Sequence, residues 1–161
     1  MSLESNSGQV QAFDWQKLLF SFEGRSRRSH FWIGWLILLG VGVVAGWIPI
    51  LGMLLSLALI WPNTAIAVKR LHDMGQSGWL VLIPWVIGFG SLIAGTMMIG
   101  IGAFAVGAME YEDPATILAT FGPAFGLFAL AGLIGFAFLL WIGLADSQRG
   151  DNRFGPNPKG Y

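Results

Sequence analysis

Three long apolar runs without any Asp, Glu, Lys or Arg dominate this chain, at Phe31–Val68, Trp79–Met109 and Ala115–Ala145. A helix needs about 20 apolar residues to cross about 30 Å of membrane hydrocarbon. The whole chain of 161 residues is 55% hydrophobic and only 11% charged, which leaves too little polar surface to cover a soluble globule. The runs therefore predict a membrane protein.

The first run is too long for one span and holds a helix breaker, Pro49, near its middle. We divide it into Phe31–Ile48 and Ile50–Val68, two spans joined by a tight turn. Together with Trp79–Met109 and Ala115–Ala145, these spans predict an all-α fold. The predicted architecture is a polytopic membrane helix bundle with four transmembrane helices.

A short amphipathic segment precedes the first span. Ala12–Phe22 mixes Phe and Leu with Asp14, Gln16 and Lys17, and it carries Trp15. This pattern predicts a short N-terminal interfacial helix with the indole at headgroup depth. We expect a cytoplasmic N-terminal segment over residues 1–30, a membrane domain over 31–145 and a cytoplasmic tail over 146–161.

The nine basic residues fall in three segments, before the first run, between the second and third spans, and after the last run. They are Lys17, Arg25, Arg27, Arg28, Lys69, Arg70, Arg149, Arg153 and Lys159. Basic residues that flank spans favour the cytoplasmic side. With four spans, every basic segment and both termini lie on that side, and the acidic Glu110–Asp113 tip lies on the other.

The residue types needed for familiar active sites are scarce. The chain has no cysteine and only two histidines, His30 and His72, so no metal site is predicted. The sequence shows no nucleophile elbow, phosphate loop or dinucleotide fingerprint. We therefore predict no catalytic residue, no cofactor and no nucleic-acid partner.

One intramembrane polar group stands out beside Pro62, which cannot donate a backbone hydrogen bond and should kink its helix. Asn63 could bond a freed carbonyl, bond a neighbouring helix, or face a polar ligand path together with Thr64. We favour the kink-and-packing interpretation. No span contains an ionisable residue, which argues against an ion-coupled carrier. An oligomeric channel or small-solute transporter remains the alternative.

Small residues recur one helical turn apart in the spans and predict close helix approach, within one bundle or in a homo-oligomer. The pairs are Gly42 with Gly46, Gly90 with Ala94, Ala103 with Gly107, Gly122 with Gly126 and Ala131 with Gly135. The last two apolar runs also exceed the hydrocarbon thickness. Either Pro84 and Pro123 break these helices, or their ends project from the membrane on the acidic side.

Three polar motifs flank the spans: FEGRSRRSHFW at Phe22–Trp32, RLHDMGQSGW at Arg70–Trp79 and NRFGPNP at Asn152–Pro158. In these motifs the chain resembles the bacterial inner-membrane proteins catalogued as domain of unknown function 805. The resemblance implies an inner-membrane location and no assigned activity, and it brings no binding or catalytic residues with it. The chain departs from compact members in its longer apolar segment between the second and third motifs.

The motifs place arginines where lipid phosphates lie, and each juxtamembrane cation gains about 1 kcal/mol from an anionic leaflet. The candidates for headgroups or another anionic ligand are Arg25, Arg27, Arg28, Arg70 and Arg153. A second interpretation is a cytoplasmic network that ties the three loops together. Its candidate members are His72, Asp73, Asp146, Asp151 and Asn152.

A proton-transferring pair of His72 and Asp73 has little support, because neighbouring residues on a helix do not face each other. We therefore predict a non-enzymatic integral inner-membrane protein. Its Arg-rich cytoplasmic face is expected to contact anionic lipid headgroups or a partner.

Overall fold

The computed structural model describes residues 15–107 and 113–158, and these are mainly helical. The helices are α1 (Trp15–Phe20), α2 (Arg28–Gly46), α3 (Pro49–Asp73), α4 (Leu82–Gly107) and α5 (Pro114–Leu144), with a 3₁₀ turn (Gly78–Val81) before α4. Over these ranges the sole β pairing is an isolated bridge between Asn152 and Gly155. The predicted all-α fold is confirmed.

The four helices from α2 to α5 are each long and apolar enough to cross a membrane. The most apolar 18-residue stretch of α5 has a mean hydropathy of 2.4. Only 11% of that stretch is buried inside the protein. Large apolar side chains such as Phe104 and Leu118 point outward and are mostly exposed. A surface of this kind is stable in lipid, so the chain is an integral membrane helix bundle.

At the end of the bundle that carries the basic motifs, two helices extend beyond the predicted spans. Helix α2 begins at Arg28 rather than Phe31, and α3 continues five residues beyond Val68 to Asp73. The helix that contains the predicted span Ile50–Val68 is therefore longer at its C-terminal end than predicted. The extra turn is stabilised because the Lys69 ammonium donates to backbone carbonyls of α1, including that of Leu18 at 2.9 Å.

The prolines inside the spans do not end the helices. Pro62 lies within α3 and Pro123 within α5, while Pro84 lies in the first turn of α4, where the backbone needs no intrahelical donor. The alternative in which Pro84 and Pro123 break the helices is wrong. With 31 residues, α5 is about 46 Å long, which leaves projecting ends.

The acidic tip lies largely outside the described residues, but its last member forms the start of α5. Asp113 accepts hydrogen bonds from the backbone N–H groups of Ala115 and Thr116 at 2.8 and 3.0 Å. The Thr116 hydroxyl also donates to this carboxylate at 2.7 Å. The Thr116 hydroxyl and these N–H groups lower the pKa of Asp113, as expected when bonds favour the charged form.

The helices pack as two hairpins, α2 with α3 and α4 with α5. Glycine permits the closest approaches. A Cβ on Gly52 would overlap the Ala45 carbonyl across the α2–α3 turn, and a Cβ on Gly95 would overlap the Phe128 ring across the second hairpin.

Most of the small-residue pairs are not the sites of these close approaches, although a Cβ on Gly52 would lie 3.3 Å from the Cα of Gly46. Among their glycines, only Gly42 meets a side chain of another described helix, that of Leu59. We therefore find no role for most of these pairs in packing within one chain. Their role in a homo-oligomer stays a prediction.

Most of the core lies in the half of the bundle that carries the basic motifs. Phe31, Ile66, Leu71 and Ile142 are almost fully buried there. Helix α1 joins this cluster through Leu18. It is described over Trp15–Phe20, within the predicted Ala12–Phe22, and residues 12–14 lie outside the described ranges.

Candidate functional site

Three segments meet at one end of the bundle, and we call them together the cap: 24–28, 70–78 and 145–158. Their common centre is the buried carboxylate of Asp73. It accepts a bond from Arg25 Nε at 3.2 Å, and further bonds from Arg70 Nη1 and the Ser147 hydroxyl. Because the three donors come from different segments, Asp73 joins all three parts of the cap.

The last carbonyls of α5 are bonded by side chains from the other hairpin. A helix end leaves four carbonyls without intrahelical partners, and the four from Ile142 to Ala145 all have partners here. Arg70 donates Nε–H to the first at 2.7 Å and Nη2–H to the last. Trp32 donates to the second at 3.1 Å and Arg28 to the third at 3.0 Å. The two hairpins are therefore held together at the cap.

The end of α3 is closed in the same way by Arg25 and by the C-terminal segment. Arg25 Nη2 donates to the Asp73 carbonyl at 3.3 Å and to the Gln148 carbonyl at 2.7 Å. The Asn152 amide donates to the His72 carbonyl at 2.9 Å. Cationic groups at a helix C-terminus also oppose its partial negative charge.

The third motif forms a tight turn from Asn152 to Gly155. Backbone bonds join these two residues in both directions, at 3.2 and 3.0 Å. The Asn152 side-chain oxygen accepts from the backbone N–H of Phe154 at 2.9 Å. Gly155 has φ of +132°, a conformation that favours glycine. The turn fixes the direction of Phe154.

His72 leaves α3 on a different side from Asp73. Its ring stacks on Phe154 with centroids 3.8 Å apart, and its Nδ1 lies 3.3 Å from the Gly24 carbonyl. Because that carbonyl only accepts, Nδ1 carries the proton in the neutral ring. A Cβ on Gly78 would lie 2.9 Å from Nε2, so glycine leaves room for the imidazole edge.

The five candidate arginines divide into two groups. The side chains of Arg25 and Arg70 are 1% and 0% exposed and bond only protein groups. Arg27, Arg28 and Arg153 have more access to solvent. Headgroup contact therefore remains a prediction for these three alone.

The exposed cations also have protein contacts. Arg27 donates to the Pro158 carbonyl at 2.6 Å, and Arg28 pairs with the exposed Asp146 at 2.6 Å. The Arg153 guanidinium lies 4.6 Å above the centroid of the Phe154 ring. These contacts orient the arginines at the rim of the cap.

Of the three acidic residues predicted for the network, Asp151 alone has no ion pair with an arginine in the described structure. Its carboxylate instead accepts from the backbone N–H of Asn157 at 2.9 Å. Ser147 and Phe154 were not predicted as site residues. Phe154 could have been found from its place in the third motif, whereas Ser147 carries no sequence signal.

Asn63 and Thr64 lie in α3, outside the cap. The Asn63 amide donates to the Leu59 carbonyl at 2.8 Å, and the Thr64 hydroxyl donates to the Ile60 carbonyl at 2.7 Å. Both side chains thus bond carbonyls one turn earlier in their own helix, next to Pro62.

A cavity of about 640 Å³ opens between α3, the 3₁₀ turn and the tail turn; we call it the cap pocket. Arg153, His72 and Ser77 supply polar groups to its wall, and Val68 and Leu82 supply apolar ones. Among the described residues, no three His, Asp or Glu side chains are grouped closely enough to hold a metal ion. Because its wall combines the Arg153 cation with apolar side chains, the cap pocket suits a molecule with an anionic and an apolar part.

Comparison with known proteins identifies relatives of this chain. The chain is 37% identical over 113 residues to the uncharacterized protein YiiR of Escherichia coli K12, covering 57% of this chain and 68% of YiiR. It is 38% identical over 76 residues to the inner membrane protein YhaI of the same organism, covering 40% of this chain and 64% of YhaI. No solved structure matches the chain.

A family match extends over most of the bundle and the cap. Residues 45–156 match the family described as protein of unknown function (DUF805). This range contains Asp73 in the second motif and the turn from Asn152 to Gly155 in the third. The Asn152 amide donates to the His72 carbonyl and so connects the two motifs. The chain therefore belongs to the DUF805 family of proteins of unknown function, as its three motifs predicted.

Proposed function

We propose that this protein resides in a bacterial inner membrane, with the cap on the cytoplasmic side, and binds anionic phospholipid headgroups in the cap pocket without catalysing a reaction. The location is supported by the four apolar helices and by the relative YhaI, which is named an inner membrane protein. The orientation rests on the basic residues at the cap end.

The observation that carries the lipid proposal is the position of Arg153 beside the cap pocket. Its guanidinium lies over the Phe154 ring, which in turn stacks on His72. Asn152 attaches this turn to the end of α3. The cation is therefore held at the rim of a cavity with apolar walls, and a guanidinium binds phosphate through paired hydrogen bonds.

The outward side of the pocket also fits the membrane interface. Trp79 lines the cap pocket and is 78% exposed. Tryptophan is enriched at headgroup depth, because its ring is apolar while its N–H is polar. A phospholipid would place its phosphate at Arg153 and the start of its acyl chains along Val68 and Leu82.

Native mass spectrometry of the detergent-solubilised protein with added phosphatidylglycerol tests this proposal. Arg153→Gln should weaken binding about fivefold, because one juxtamembrane cation is worth about 1 kcal/mol. Arg153→Lys keeps the charge and should recover most of the affinity.

Arg149→Gln is the matched control, since Arg149 is also exposed but does not line the cap pocket. It should leave phosphatidylglycerol binding nearly unchanged. Equal losses in Arg149→Gln and Arg153→Gln would show general charge attraction and overturn the proposed site.

The channel or transporter alternative has no comparable support. Asn63 and Thr64, the residues predicted to line a pore, both bond carbonyls of α3. They also line different cavities, Thr64 the cap pocket and Asn63 a separate one inside the bundle. We therefore do not propose transport.

A further inference from the structure

A second cavity of about 450 Å³ lies between the two hairpins, within the spanning part of the bundle; we call it the core cavity. All four spanning helices contribute to it, with Trp35 from α2, Asn63 from α3, Trp85 from α4 and Phe138 from α5. Its size falls in the range of small-molecule sites, which are mostly apolar with a few polar groups.

Among the described residues that line the core cavity, Asn63 alone is neither aliphatic nor aromatic. Its Nδ2 donates to the Leu59 carbonyl at 2.8 Å, and this bond identifies the other amide atom as the oxygen. None of the described groups donates to that Oδ1. An amide oxygen on an apolar wall at membrane depth is costly unless it accepts a hydrogen bond.

The depth of Asn63 restricts the ligand further. It lies six residues before Lys69 in α3, which corresponds to about 9 Å along the helix. The amide is therefore below the level of the cap cations. None of the described residues in the lining of the core cavity carries a charge, so an ionic headgroup would be desolvated there without a partner.

We infer that the core cavity binds a neutral lipid alcohol, with its apolar chain against the aromatic walls and its hydroxyl donating to Asn63 Oδ1. The hydroxyl supplies a donor to Asn63 Oδ1, and the chain supplies the apolar volume. This inference does not rest on the proposed headgroup site, because the two cavities use different residues apart from Val81.

Photocrosslinking with a diazirine-bearing long-chain primary alcohol tests the inference, and the methyl ether of the same probe is the matched ligand without a donor. Crosslinks to core-cavity residues are expected, with the alcohol binding about fivefold more tightly than the ether, since a hydrogen bond contributes about 1 kcal/mol. Asn63→Leu should abolish this preference. Equal binding of alcohol and ether by the unmodified protein would overturn the role of Asn63.

Cavity-filling variants provide a second test that keeps the Asn63 hydrogen bond. A Cβ on Gly88 or Gly135 meets open space in the core cavity, so Gly88→Leu and Gly135→Leu should fill it and remove probe binding. Gly90→Leu and Gly126→Leu are controls on the same helices, also with open space but away from the cavity.

These controls should bind the probe normally. Normal binding by both filled variants would overturn the site.

Discussion

At the scale of single residues, the cap depends on one carboxylate. Asp73 is fully buried and accepts from Arg25, Arg70 and Ser147. Two enclosed guanidinium groups thus share one buried carboxylate as a hydrogen-bond acceptor. A buried ion pair adds little net stability, but removing one partner leaves an uncompensated charge.

Asp73→Asn should therefore lower the free energy of unfolding by about 3–5 kcal/mol. Asp146→Asn is the matched control, because Asp146 also pairs with an arginine but has an 86% exposed side chain. Exposed pairs contribute about 0–1 kcal/mol. Equilibrium unfolding in detergent measures both variants, and similar losses in the two would contradict the central role of Asp73.

At the scale of elements, each hairpin relies on a glycine where two helices approach. Gly52 lies in the first turn of α3, and a Cβ there would overlap the backbone of Ala45 in α2. Backbone has no alternative rotamer through which it could yield. The α2–α3 turn is therefore intolerant of any side chain at this position.

Gly52→Ala should destabilise the protein by about 1–3 kcal/mol, the usual cost of overpacking. Gly40→Ala, in the same hairpin, meets open space and should be neutral or slightly stabilising, because alanine favours helix more than glycine. Thermal unfolding in detergent compares the two. A Gly52→Ala protein as stable as Gly40→Ala would show that the hairpin can open at no cost.

At the scale of the whole molecule, the cap places the first and last described segments at the same end of the bundle. Arg25 in the N-terminal segment bonds the carbonyl of Gly150 in the C-terminal segment at 2.8 Å. Four spans require this arrangement, whereas three would separate these segments across the membrane.

Single cysteines on this cysteine-free chain test the orientation. Gln76 is exposed in the cap, and Gln76→Cys should react with a membrane-impermeant maleimide only from the cytoplasmic side. Glu112→Cys should react only from the opposite side. Labelling of Glu112→Cys from the cytoplasm would refute the four-span topology.

The sequence allowed the fold to be predicted in more detail than the site. Apolar length located four spans, and Pro49 located the first hairpin turn, because lipid imposes simple length rules on helices. The neighbouring Pro62 also indicated a free backbone carbonyl as a partner for Asn63. In contrast, the enclosure of Arg70 depends on carbonyls of α5, more than 70 residues away. Such tertiary contacts leave no local pattern, so Arg70 resembled an ordinary headgroup-facing cation.

The bonding of the α5 carbonyls by Arg28, Trp32 and Arg70 has a consequence for biosynthesis. Synthesis proceeds from the N-terminus, so the first hairpin is complete before these acceptors, from Ile142 to Ala145, exist. Closure of the cap therefore requires the last helix, and a chain truncated before α5 would leave Arg28, Trp32 and Arg70 without these acceptors.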